Sequence, residues 1–297
     1  MASRAQDYKA KLDALTEQAL TLPAEARRAV LSQLEQAARE VKAALVGVDP
    51  SSLAASRLQT MKAEIQRIMQ SFAQNASSEV GKIEQRMYTD AARSVDATVA
   101  AGYGYVPVQP VIDTRTIAIA QGYTADLITG LSHETATQIN GALQRAVLGQ
   151  NTLTQLVAQI GGALEGGTFS GVFGPAGDRS MSIATNEVMR VHSVASFTRI
   201  VDLGKRHDGL GKEWLHIPAA RVPRVAHVLA SGQVRAPNEP FLVGGEELMY
   251  PRDPSGSAAN TIYCHCLVRP KVSAAQLKPS DREREYLNKL GLSVTTA

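Results

Sequence analysis

Between Leu58 and Val99 the chain places apolar or small side chains at Leu58, Met61, Ile65, Ile68, Phe72, Ala76, Val80, Ile83, Met87, Ala91, Val95 and Val99. Eleven steps cover 41 residues, a mean spacing of about 3.7. A stripe of that period is one face of a nearly straight α-helix, since a left-handed coiled coil needs a period of about 3.5. A helix from Ser51 to Ala101 is roughly 75 Å long at about 1.5 Å per residue. Asp49 and Pro50 mark its start, because Asp49 can cap and Pro50 suits the first helical position. A first helical stretch runs from Arg4 to Val46, with Pro23 as its candidate break. Such a rod is long for a chain of 297 residues to cover alone. The expected arrangement is therefore two long helices folded as a hairpin and packed against neighbouring subunits.

The pattern changes further on. Gly102 to Pro110 breaks the long helix, and shorter helices are expected near Thr114–Gly130, Glu134–Leu148 and Thr152–Ile160. Seven glycines fall between Gly161 and Gly177, read as a glycine-rich loop without the lysine of a phosphate-binding loop. An amphipathic helix follows from Ser180 to Lys205. Strands are expected at Lys212–Ile217 and at Ile262–Val268, the latter ended by Pro270. Ser280 and Glu283 form a capping-box pattern opening a short tail helix that stops at Gly291. The order predicts an α+β chain in four segments. These are a long-helix arm (1–105), a helical linker region ending in the glycine-rich loop (106–179), a small mixed module (180–272) and a helical tail (273–297).

Composition removes several classes. With 44% hydrophobic and 20% charged residues the chain can bury a core. No stretch is apolar enough to span a membrane, and the first residues have no apolar core of a signal peptide. Two cysteines do not make a disulfide scaffold and suit a reducing compartment. The net charge is +3, and the last 99 residues hold 14 basic against 10 acidic side chains. That mild excess favours an anionic partner at the C-terminal third.

The chemistry-bearing cluster is Cys264-His265-Cys266, with His227 and His216 upstream. In a strand, positions 264 and 266 share a face and 265 points away. Two thiolates on one face, with His227 as a third ligand, form a candidate metal set, and zinc is the metal such ligands suit. The spacing between the cysteines is tighter than the usual C-x₂₋₄-C knuckle, so two small thiols packed in a core is the other reading. No G-x-S-x-G, H-E-x-x-H or acidic metal cluster is present, and no catalytic residues are expected. Arg221 and Arg224 flank His227 and are the candidate phosphate contacts.

The stretch from Thr185 to Lys271 resembles the Mu F-like minor head proteins of tailed bacteriophages, the head-morphogenesis family. The matching elements are Thr185-Asn-Glu187 with Arg190, Lys212-Glu-Trp-Leu215, Arg221-x-x-Arg224-x-x-His227, Pro240-Phe241, Leu248 to Gly256, and Asn260-x-x-x-Cys264-His-Cys266. Here Arg252 stands in place of a turn glycine, Tyr263 in place of an asparagine and His265 in place of a central arginine.

The resemblance implies a small module similar to the ADP-ribosyltransferase fold and a structural role inside the phage head. It implies the portal protein and other head subunits as partners, multiple copies in an assembly, and double-stranded DNA as a sequence-independent contact. The virion, near the portal vertex, is the implied location. The competing class is an ADP-ribosyltransferase-like effector packaged in the virion, for which Ser180-Met-Ser182 and Glu246-Glu247 are poor stand-ins.

Overall fold

The computed structural model describes residues 3–46, 55–107, 112–164, 168–218, 223–278 and 289. The chain is mostly helical with a small C-terminal sheet region, an α+β fold. Five helices come first: α1 (Arg4–Val46), α2 (Ala55–Tyr103), α3 (Thr114–Val147), α4 (Leu153–Ile160) and α5 (Phe173–Gly204). Then follow β1 (Gly211–Leu215), α6 (Val225–Ala230), β2 (Val234–Arg235), β3 (Phe241–Val243), β4 (Glu246–Leu248), α7 (Ala258–Thr261) and β5 (Leu267–Lys271). Among the described residues no helix is long and apolar enough to cross a membrane.

Two compact units form, one from Met1–Thr21, Arg86–Asp113 and Met189–Ala297, the other from Leu22–Gln85 and Thr114–Val188. The four segments read from sequence divide the chain by character, whereas these units divide it by packing, so α1, α2 and α5 contribute to both. Pro23 lies inside a continuous α1, just past the point where that helix leaves one unit for the other. Asp49, Pro50 and the tail's Ser280, Glu283 and Gly291 lie outside the described residues.

The unit built on Leu22–Gln85 and Thr114–Val188 is helical. The stripe of α2 lies in its core, with Ile65, Ile68, Phe72 and Ile83 at most 3% exposed. This corrects the expectation that neighbouring subunits are needed to cover it. The chain's own α1 (Val30, Leu34, Val41) and α3 (Ile128, Leu131, Ile139, Leu143) bring equally buried faces. Helix α3 is continuous where two shorter helices were expected. Gly130 is absorbed, and the Ser132 hydroxyl donates across to the Met69 carbonyl (2.6 Å). Nearby, Gln121 Nε2 donates to the Gly81 carbonyl and Thr124 Oγ1 to Glu84 Oε1, so α3 runs antiparallel to α2. Helix α4 opens with a capping box between Thr152 and Gln155. Helix α5 starts at Phe173, seven residues before the expected Ser180, because Pro175 falls in the first turn, where backbone N–H groups have no helical acceptor.

The other unit carries the sheet. Strand β1 is central, antiparallel to β2 on one side and to β5 on the other, with Lys212 opposite Pro270 and Trp214 opposite Val268. A separate hairpin pairs β3 with β4. Trp214 is fully buried and meets Phe241 edge to face at 5.4 Å. Lys212 is also fully buried: its Nζ donates to the Met249 carbonyl (2.7 Å) and lies over the Phe197 and Phe241 rings. Burial pushes its pKa down to about 8, against the pull of Asp253 and Glu239. Glu213, on the opposite face of β1 from Lys212, pairs with Arg269 (2.8 Å) and Lys271 (3.2 Å) of β5.

The expected strand at Ile262–Val268 is displaced. Strand β5 spans Leu267–Lys271 and contains Pro270, while residues 262–266 lie outside any strand, opening with a turn at 262–263 in which Tyr263 has φ 54°. A positive φ at a bulky residue breaks strand pairing, and Pro270 is tolerated because β5 is an edge strand.

Candidate metal centre

Three segments of the sheet unit bring the cluster together. Helix α6 supplies His227, the turn before β5 supplies Cys264 and Cys266, and the residue after β1 is His216. The cysteines are not on a strand, so strand alternation is not why they converge. The turn at Tyr263 aims both inward, and both sulfurs lie 3.5 Å from His227 Nδ1. All three side chains are buried, and their donor atoms lie within 4.8 Å of one another. This His-Cys-Cys cluster could hold a metal ion. His265, half-buried, is not part of it.

His227 is held from behind. Its Nε2 lies 3.2 Å from Asn260 Oδ1, and Asn260 Nδ2 donates to the Val243 carbonyl. A carbonyl only accepts, so the amide nitrogen must face Val243 and the amide oxygen must face the imidazole. His227 therefore donates from Nε2 to Asn260, and its Nδ1 faces the two sulfurs. The Trp214 ring packs edge-on to the imidazole at 5.9 Å.

The two cysteines are free thiols. Their mutual hydrogen bond is the main cause of opposite shifts: it holds Cys264 well below the ordinary thiol range and pushes Cys266 up. The pair thus holds one proton more readily than two or none. Arg252, with φ 66° and almost no exposure, favours the thiolate through its charge and donates from Nη1 to the Cys266 carbonyl (3.1 Å).

Arg224, read from sequence as a phosphate contact, has its Nη2 on the Ile262 carbonyl (2.5 Å), which ties the start of α6 to the cysteine turn. Arg221 lies outside the described residues. Asn260 and Arg252 escaped assignment of a role at this site. The signal for Asn260 was its place four residues before Cys264, and Arg252 stood out only as the residue in place of a turn glycine. Glu246, weighed as a catalytic stand-in, accepts from the Ser257 backbone N–H (2.8 Å), and its carboxyl is held below the ordinary range by the Ser257 and Asn260 hydrogen bonds.

No family model matches the chain, and no solved structure matches it. Over 118 residues it is 30% identical to "Uncharacterized protein YqbB" of Bacillus subtilis (strain 168), a match covering 38% of this chain. The match spans 37% of the length of that relative.

Proposed function

We propose that the protein is a structural minor head protein of a tailed bacteriophage, of the Mu F-like kind. In this reading it associates with the portal vertex inside the head and acts in head assembly and in DNA packaging or ejection. One observation carries it. The elements of the resemblance are strung between Thr185 and Lys271, yet Trp214, Phe241, Cys264 and Cys266 share one buried cluster, with Tyr250 packed against it. Residues that agree in order along a sequence and also meet in one core are the marks of a module rather than of scattered coincidence. The module is read as ADP-ribosyltransferase-like in fold and non-catalytic, with zinc as the metal its His-Cys-Cys cluster suits.

The surface fits a partner-binding role. Val225 and Leu229, on the outer side of α6, are 72% and 78% exposed. Exposed apolar side chains grouped on one short helix suit burial by another subunit. Any contact with DNA is read as phosphate-directed through Arg221 and Arg224, and so steeply weakened by salt.

The test is to purify heads assembled with and without the protein, and to locate it by mass spectrometry and cross-linking. Recovery in heads with cross-links to the portal is expected, and Val225→Glu with Leu229→Glu should reduce that recovery. Heads that form and fill normally without the protein, and never contain it, would remove the proposal.

A further inference from the structure

We infer that Cys264, Cys266, His227 and His216 form a closed four-ligand zinc site that cross-links three segments of the sheet unit. The first support is distance. Zinc bonds of about 2.3 Å to sulfur and about 2.0–2.1 Å to nitrogen, at a tetrahedral angle, set the sulfur–nitrogen edge at about 3.5 Å. Both cysteine sulfurs lie 3.5 Å from His227 Nδ1, so two edges of this face of the tetrahedron have the length a bound zinc would set, and all three donor atoms lie within 4.8 Å of one another.

The second support is the tautomer. A metal-binding imidazole presents one lone pair and donates its other N–H to an oxygen behind it, which fixes the ring. His227 does this through Asn260, whose own amide is oriented by the Val243 carbonyl. Nδ1 is thereby left facing the two sulfurs, where its lone pair would serve a metal.

The fourth ligand comes from the residue that leaves β1. His216 Nδ1 is 3.7 Å from Cys266 Sγ, and the His216 backbone N–H is anchored on Ser231 Oγ (3.1 Å). The ring is half-buried and lies outside the tight group of three donors. In the proposed site this ring turns toward the other three donors and closes the half-buried side. Two thiolates and two neutral imidazoles neutralise Zn²⁺, and binding releases up to two thiol protons. Softness and tetrahedral S₂N₂ geometry favour zinc over calcium or magnesium. The tight cysteine spacing is no obstacle, because the ligands come from three segments and not from one knuckle. The benefit is structural: the strands here are two to five residues long, and a metal staple adds folding free energy that so small a sheet lacks.

The experiment uses the full chain, purified without chelator. Elemental analysis should find one zinc per chain, and chelation should lower the melting temperature. Cobalt substitution should give thiolate charge-transfer absorption and the strong visible bands of a tetrahedral site. His216→Ala, a change at a half-buried ring, should keep the fold but lose more than the roughly 10–100-fold in zinc affinity that an outer partner such as Asn260 contributes. It should also alter the cobalt spectrum. A chain that holds no zinc and gives no cobalt spectrum overturns the site. A His216→Ala protein with unchanged affinity and spectrum overturns the fourth ligand. Neither result bears on the phage reading, which rises or falls with the content of purified heads.

Discussion

The Tyr8 hydroxyl donates to the Pro270 carbonyl (2.9 Å) and accepts the Val272 backbone N–H (3.2 Å). Strand β5 pairs with β1 on one side, and Pro270 stands opposite Lys212 with its carbonyl turned to the free edge. One buried phenol from α1 thus occupies the place of a further strand. One helical turn earlier, Arg4 donates from Nη1 to the Gln276 and Lys278 carbonyls and holds the chain beyond the edge. Tyr8→Phe leaves a carbonyl and an N–H without a partner, which should cost about 1–3 kcal/mol. Denaturant unfolding measures the loss, and amide exchange at Val272 should quicken selectively. Unchanged exchange at Val272 would mean that the hydroxyl does not close this edge.

Asp96 of α2 and Arg199 of α5 form the least exposed ion pair among the described residues, with 2.6 Å between Oδ1 and Nε. Burial raises the Asp96 pKa, and Arg199 opposes that rise. Removing one partner from a buried pair strands the other charge, so Arg199→Met should cost about 3–5 kcal/mol. Replacing both, as Asp96→Leu with Arg199→Met, should recover much of the loss. Chemical denaturation of the four proteins in the cycle gives the coupling, and additive losses would show that the pair is not coupled.

Legibility in the sequence followed the range of the interaction. The α2 stripe was readable because a 3.7 spacing is local, and Ile65, Ile68, Phe72 and Ile83 are buried as that spacing required. What covers the stripe was not readable, since α3 meets α2 through contacts distant in sequence, such as Ser132 with Met69. The 130–134 region looked like a helix end because Gly130 and Ser132 are weak helix formers, yet tertiary packing and the bond from Ser132 to Met69 outweigh that preference. The β-branched and aromatic residues at 262–268 suggested a strand, and the φ of 54° at Tyr263 has no local sequence signal. The cysteines and His227 were named together for a strand geometry that is absent, and they meet because a turn and a short helix bring them there.

His192 of α5 is fully buried, and its Nδ1 has no hydrogen-bond partner among the described residues. Burial pushes its pKa down to about 3, and the charge of Arg252 acts in the same direction. The unfolded chain binds a proton near pH 6.5 that the folded chain refuses, so the stability present above pH 6.5 is lost as pH falls toward 3. The slope is at most about 1.4 kcal/mol per pH unit, or up to about 2 kcal/mol between pH 6.5 and 5. His192→Gln should flatten this part of the profile. Urea unfolding at pH 7, 6 and 5 compares the two, and parallel profiles would show that His192 does not set the acid sensitivity.

Gly244, in the turn between β3 and β4, has φ 59°, and a Cβ there would lie 3.3 Å from Asn260 Nδ2 and 3.3 Å from the Ala226 Cβ. Gly245 has φ 84°, and a Cβ there would meet nothing within 4 Å. The two glycines therefore separate backbone strain from crowding. Gly245→Ala carries strain alone, about 1–2 kcal/mol for a left-handed residue. Gly244→Ala carries the same strain and also presses on the amide that holds the His227 proton on Nε2. Its cost should exceed that of Gly245→Ala by about 1 kcal/mol, the scale of one weakened buried hydrogen bond. The nitrogen chemical shifts of His227 should move toward mixed tautomers in Gly244→Ala and stay unchanged in Gly245→Ala. Equal losses of stability, with identical imidazole spectra, would mean that the turn does not press on Asn260.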